Sequence, residues 1–87
     1  MQNPESQEIH KRFFEAIDEL VRQKKLRGKK SFATKYQLNQ GNFYKLRNSP
    51  EAEFQLCYLS WLSIDFGVSA DWLLNGRGGM FYYQKPN

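Results

Sequence analysis

Cysteine is almost missing from this chain. Cys57 stands alone, so no intramolecular disulfide can form and a zinc cage built on cysteines is excluded. No apolar run approaches the roughly 18 residues that a membrane span needs. The start, MQNPESQEIH, has no basic region followed by an apolar stretch, so it is not a secretory signal. Histidine occurs once, at His10, and no Ser-His-Asp, Cys-His or paired-carboxylate set stands out. No enzyme and no cofactor is therefore expected. His10 reads as a lone exposed histidine and Cys57 as an inert core thiol. Gly76-Arg77-Gly78-Gly79 is not a phosphate loop, because no strand precedes it and no helix is signalled after it.

What is present is ring and positive charge. The 87 residues are 40% hydrophobic and 16% aromatic, too rich in apolar rings for a disordered tail. The length allows one domain, 1–87, with a single small core. It reads as soluble and intracellular, in the cytoplasm at the nucleoid. The formal net charge is +4, and its distribution says more than its total. Residues 21–50 hold nine bases (Arg22, Lys24, Lys25, Arg27, Lys29, Lys30, Lys35, Lys45, Arg47) and no acid. An ordinary surface intersperses both signs, so this third of the chain points to a polyanionic partner. Lys24 and Lys25 read as plainly solvated. A membrane surface fits poorly, because the acids of the first helix would be repelled by anionic lipid.

No segment alternates with period two, so the fold expected is all-α: five short helices in a compact bundle. Ile9, Phe13, Ala16, Ile17 and Leu20 recur at spacings of three and four on a first helix. Asn3 caps it, Pro4 opens it and Gly28 is its natural stop. A second helix is expected near 29–37, with Phe32, Ala33 and Tyr36 inward. After a tight connection at Leu38, Asn39 caps a third from Gln40 to about Asn48, anchored by Phe43 and Leu46. Ser49-Pro50-Glu51 signals a fourth helix running to about Phe66. Being apolar nearly all round, it should be the most buried element. Gly67 breaks it, Ser69 caps a fifth over 70–75, and Gly76 closes that one. Phe54, Tyr58, Trp61 and Trp72 fall at core spacing, which argues against stacking on single-stranded bases. The tail of about 77–87 contains Met80 to Tyr83, apolar and β-prone, fit for an edge strand, a packed arm or a subunit contact.

The second and third helices, about 29–48, form a helix-turn-helix arrangement inside the basic third. The second helix of such a pair enters a major groove when it is short, polar outside and anchored by a few apolar residues. Gln40, Gly41, Tyr44 and Lys45 fall away from Phe43 and Leu46 and are the candidate base contacts. Gln matches the N6 and N7 edge of adenine, and Gly41 lets the backbone approach closely. Tyr44 offers a ring to a thymine methyl, and Lys45 reaches a guanine edge or a phosphate. Lys29, Lys30 and Ser31 at the start of the second helix are candidate phosphate contacts. Asn39, Asn42, Arg47 and Asn48 around the third helix are the others.

The stretch from Phe32 to Leu46, FATKYQLNQGNFYKL, resembles the helix-turn-helix of the phage lambda repressor and Cro family, the XRE type. Ala33 stands where the family has a small residue at the helix crossing. Leu38 matches the aliphatic turn residue, Asn39 the polar cap, and Phe43 and Leu46 the anchors. Phe66 to Gly78, FGVSADWLLNGRG, is similar to the closing segment of phage-repressor-like regulators. The resemblance implies a five-helix DNA-binding domain in which Gln40 leads base reading and the start of the second helix clamps a phosphate. It implies a homodimer on two-fold related half-sites of double-stranded DNA, and repressor-like transcription regulation of phage or mobile-element type. No membrane and no small-molecule substrate is implied. The match departs at Gln37, where the family commonly has Gly. If φ there must be positive, Gln carries a strain of about 1 kcal/mol. The rival reading is an antitoxin-like adaptor or protein-interaction module that keeps the fold without specific DNA binding. The Met80–Tyr83 tail would then be its working surface.

Overall fold

Pro4 opens α1 (Pro4–Arg22) in the computed structural model, which describes residues 4–49 and 55–82. Four further helices follow: α2 (Lys29–Lys35), α3 (Gln40–Arg47), α4 (Leu56–Phe66) and α5 (Ala70–Asn75). Among the described residues there is no strand beyond one isolated bridge, so the fold is all-α. The chain divides into two compact units, Met1–Glu53 and Phe54–Asn87.

The first unit is organised by rings. His10, Phe13, Phe14, Ala16, Ile17 and Leu20 line the buried stripe of α1, at the three-and-four spacing that gathers a helix face. Phe13 meets Phe14, Phe32 and Phe43 edge-on, with centroids 4.9, 5.4 and 6.2 Å away. Phe32 and Phe43 stack at 5.5 Å. Such pairs add about 0.5–1.5 kcal/mol each beyond the area they bury. The cluster therefore binds α1, α2 and α3 through one ring from each, with Phe14 as a fourth.

His10 corrects the expectation of an exposed histidine. It sits on the buried stripe three residues before Phe13, and its Nε2 lies 2.7 Å from the Leu46 carbonyl. A carbonyl only accepts, so Nε2 carries the proton and donates. This bond satisfies one of the carbonyls that the end of α3 leaves without an intrahelical partner.

Gly28 does not stop α1, which is a second correction. The helix ends six residues earlier in a turn centred on Lys24, whose φ is +63°. The Lys25 N–H reaches back to the Leu20 carbonyl and the Lys24 N–H to Val21, the paired bonds of a left-handed C-terminal cap. Gly28 is instead the extended N-cap of α2. Its N–H donates to the Ser31 hydroxyl at 3.1 Å and its carbonyl accepts from the Ser31 N–H at 3.0 Å. α2 closes by the same device as α1. Gln37 takes φ +58°, and the Leu38 N–H bonds the Ala33 carbonyl at 2.8 Å.

In the second unit the α4 expectation fails in part. Leu59 and Leu62 are buried, but Leu56 and Ile64 are more than three-quarters exposed, so α1 and not α4 carries the deepest face. Tyr58 and Trp61 are half-buried and meet at 5.6 Å. Partial burial raises the Tyr58 phenol above its ordinary range. Cys57 is half-buried, with Sγ 3.6 Å from the Gln55 side-chain oxygen. Gly67, at φ +72°, ends α4 as expected. The Ser69 hydroxyl caps α5 by accepting from the Trp72 N–H, and Gly76 closes it at φ +70°.

As far as it is described, to Tyr82, the tail packs as an arm. Met80 accepts from the Ser69 N–H at 2.7 Å, and the Tyr82 N–H reaches the Gly67 carbonyl at 2.9 Å. The Tyr82 hydroxyl accepts from Ser63 Oγ and from the Ala70 N–H, both at 3.0 Å. These bonds hold its pKa below the ordinary phenol range, the one from Ser63 most. They also satisfy an orphan donor in the first turn of α5. The fourth helix does not run on from Pro50 as expected: α4 begins at Leu56, and Gln55 before it is an extended N-cap. Asn3, Pro50, Glu51, Phe54 and Tyr83 lie outside the described residues.

Candidate nucleic-acid interface

α3 is short because both ends are set locally. Asn39 caps it, its side-chain oxygen accepting from the Asn42 N–H at 2.9 Å. Asn48 ends it, its N–H bonding the Tyr44 and Lys45 carbonyls. Phe43 and Leu46 turn inward and are buried. With 3.6 residues per turn, that anchoring sends positions 40, 41, 44, 45 and 48 to the opposite side. All five are exposed, Tyr44 by 63%. The structure therefore brings the four expected base contacts, Gln40, Gly41, Tyr44 and Lys45, onto one solvent-facing strip.

Gly41 has a local reason to lack a side chain. A Cβ there would lie 3.3 Å from the capping Asn39 oxygen, close enough to press on the cap. Gln40 is not loose. Its Nε2 donates to Thr34 Oγ1 at 2.8 Å, a link from α3 back to α2 that sequence reading missed. Six residues separate the pair, and no periodicity marks it; only the turn through Gln37 brings them together.

The residues expected at phosphates divide into groups. Lys30 is exposed on α2, and Asn39, Asn42 and Asn48 are exposed on and around α3. The Ser31 hydroxyl is engaged by Gly28, as described above. The side chain of Lys29 lies outside the described residues, though its backbone opens α2. Arg47 is held by α1: one guanidinium nitrogen lies 2.7 and 2.9 Å from the Asp18 carboxylate oxygens. Its guanidinium carbon sits over the Phe14 ring, 5.1 Å from the centroid. A second terminal nitrogen of the same group is buried with no hydrogen-bond partner. Arg47 thus serves as a latch between α3 and α1. Arg22 is likewise taken up by Glu19, whose carboxyl is held below its usual range by that bond.

No family model matches the chain, and neither does any curated protein or solved structure.

The described acids of the first unit all lie on α1, where Asp18 meets Arg47 of α3. Glu8, Glu15 and Asp18 line an open cleft of about 430 Å³ with His10 and Phe14. No acid falls within residues 21–50, so the α2–α3 segment keeps its positive sign. Among the described residues no three His, Cys, Asp or Glu side chains gather as a metal site requires. No described helix is long and apolar enough to cross a membrane.

Proposed function

We propose that this chain binds double-stranded DNA sequence-specifically, as a repressor-like transcription regulator of phage or mobile-element type. In this reading α2 and α3 form a helix-turn-helix of the lambda repressor and Cro type, and α3 lies in the major groove. The observation that carries it is the strip of Gln40, Gly41, Tyr44 and Lys45. It is polar, exposed and borne on a short helix whose segment has no acid. Gln37 supports the reading further, because it adopts the positive φ that the family's usual glycine would supply.

Affinity arises from Lys and Arg neutralising phosphates, and specificity from α3. Lys30 and Lys45 are the described cations best placed for it. Arg47 contributes by holding α3 against α1. The protein acts as a homodimer on two-fold related half-sites. Selection of bound sequences from a random duplex library tests this directly: a palindromic motif is expected, and its absence refutes the dimeric reading. Log K should fall with log salt at a slope of about −5 for roughly six phosphate contacts. Gln40→Ala should cost about 1–3 kcal/mol on the selected site and relax one base pair. Equal loss on random DNA removes Gln40 from the base-reading role.

One observation favours the adaptor reading. Leu56, Ile64 and Leu74 of the second unit are exposed large apolar residues, and such faces commonly meet other proteins. Absence of any gel shift at low salt would select that reading.

A further inference from the structure

Thr34 stands on the exposed side of α2, where nothing in the packing requires a hydroxyl. Its Oγ1 lies 3.2 Å from the Lys30 carbonyl and 2.8 Å from Gln40 Nε2. A threonine hydroxyl has one proton and two lone pairs. The carbonyl can only accept, so the proton goes to Lys30, the usual back-bond to the preceding turn. Toward Gln40 the oxygen is then an acceptor alone. The Gln40 amide must therefore turn its NH₂ group to Thr34 and its Oε1 away.

We propose that Thr34 is a positioning residue that fixes the amide of Gln40, so that the first residue of α3 presents its acceptor and its donor in one set order. The inference rests on the proposed reading of DNA by α3. One Nε2 proton is used on Thr34, while the second and Oε1 are left to a base pair. Together they match the N7 acceptor and N6 donor of adenine. Guanine offers two acceptors on that edge and meets Oε1 with the wrong sign. An amide free to turn over presents either order and discriminates less. The lock also removes rotamer freedom before binding, so less ordering remains to be done at the DNA.

The test uses the full chain and three variants. Thr34→Val keeps the shape and the β-branch and removes only the hydroxyl. Thr34→Ser keeps the hydroxyl. Gln40→Ala removes the reader. Relaxation of the Gln40 side-chain ¹⁵N in the free protein reports the lock without DNA. Thr34→Val should mobilise that amide and Thr34→Ser should not. On the selected duplex and its three single-pair substitutions, Thr34→Val should lower discrimination at the Gln40 base pair by about fivefold or more. Random-duplex affinity should hold within about twofold, since no phosphate contact is lost. Thr34→Ser should restore discrimination, which a merely structural defect would not allow. An equally rigid Gln40 amide in Thr34→Val overturns the lock, whatever DNA does. Unchanged discrimination in Thr34→Val, where Gln40→Ala loses it, overturns the positioning role and leaves the DNA reading standing. A wild-type chain that binds no duplex overturns the DNA reading itself, and the positioning role with it.

Discussion

Four helices, α1 and α2 in the first unit and α4 and α5 in the second, end in the same left-handed backbone turn but with different residues, while α3 ends at Asn48 with φ −91°. In the second unit the left-handed positions after α4 and α5 are Gly67 and Gly76, at φ +72° and +70°. In the first they are Lys24 and Gln37, at φ +63° and +58°. A side chain in that conformation costs roughly 1–2 kcal/mol, so the first unit carries strain that the second avoids. The charge differs too. The second unit balances Arg77 and Lys85 against Asp65 and Asp71, so the whole formal net charge of +4 belongs to the first. The first unit is thus strained and cationic, and the ring cluster of Phe13, Phe14, Phe32 and Phe43 is the packing it has to set against both. The second is neutral and relaxed, with apolar side chains left on its surface. A sequence can therefore place long polar residues where glycine is usual when packing nearby is strong enough to hold the turn.

The ring cluster is the largest lever on this contrast. Phe13→Ala should lose about 3–5 kcal/mol in urea denaturation. A loss below about 1 kcal/mol would mean the rings do not hold the strained turns. Tyr82→Phe probes the other unit, where it strips the acceptor from the Ala70 N–H and from Ser63. About 1–2 kcal/mol should be lost, with faster hydrogen exchange at Ala70. The glycine contrast is tested by reciprocal changes. Gly67→Ala should destabilise by about 1 kcal/mol from backbone strain, since a Cβ there meets nothing within 4 Å. Gln37→Gly should stabilise by about 0.5–1 kcal/mol, the strain relieved less glycine's own entropy. Gln37→Gly that destabilises would show its side chain to be needed in the turn.

Charge gives smaller effects. Lys45→Ala should flatten the log K against log salt line by about 0.9 and Arg77→Ala not at all. Equal changes would erase the assignment of the cationic surface to the first unit. The smallest effect is acid sensitivity. Glu19 and Asp71 are held below their usual carboxyl values, by Arg22 and by Asn75 first. Their contribution is present above the unfolded values near 4.5 and 3.8. It fades as pH falls through the lower folded ones. Glu19→Gln should therefore flatten the acid limb of a pH–stability curve only below that upper value.

Much of the fold was legible wherever its cause was local. Asn39 and Ser69 each offered an oxygen one turn ahead of a donor, and both cap as read. Gly67 and Gly76 end helices because only a residue without Cβ adopts the left-handed turn freely. The same rule misled at Gly28, because the turn at Lys24 comes first and is held by Leu20 and Val21 rather than by glycine. His10 was misread for a related reason. Its partner is the Leu46 carbonyl, distant in sequence, and no pattern of residue types announces a backbone acceptor. The α3 strip was readable from period and polarity. The engagement of Arg47 by Asp18 and of Gln40 by Thr34 was not.

By itself the amino-acid order settled that there are five helices, the caps at Asn39 and Ser69, the glycine stops at Gly67 and Gly76 and the sign of the charge along the chain, since each depends on neighbours within about four residues. Tertiary structure alone decided which polar groups meet partners distant in sequence. It set His10 on Leu46, Arg47 on Asp18 and the Tyr82 hydroxyl on Ala70. A hydrogen bond forms only when folding brings donor and acceptor within about 3 Å at a workable angle, and no local pattern fixes that meeting.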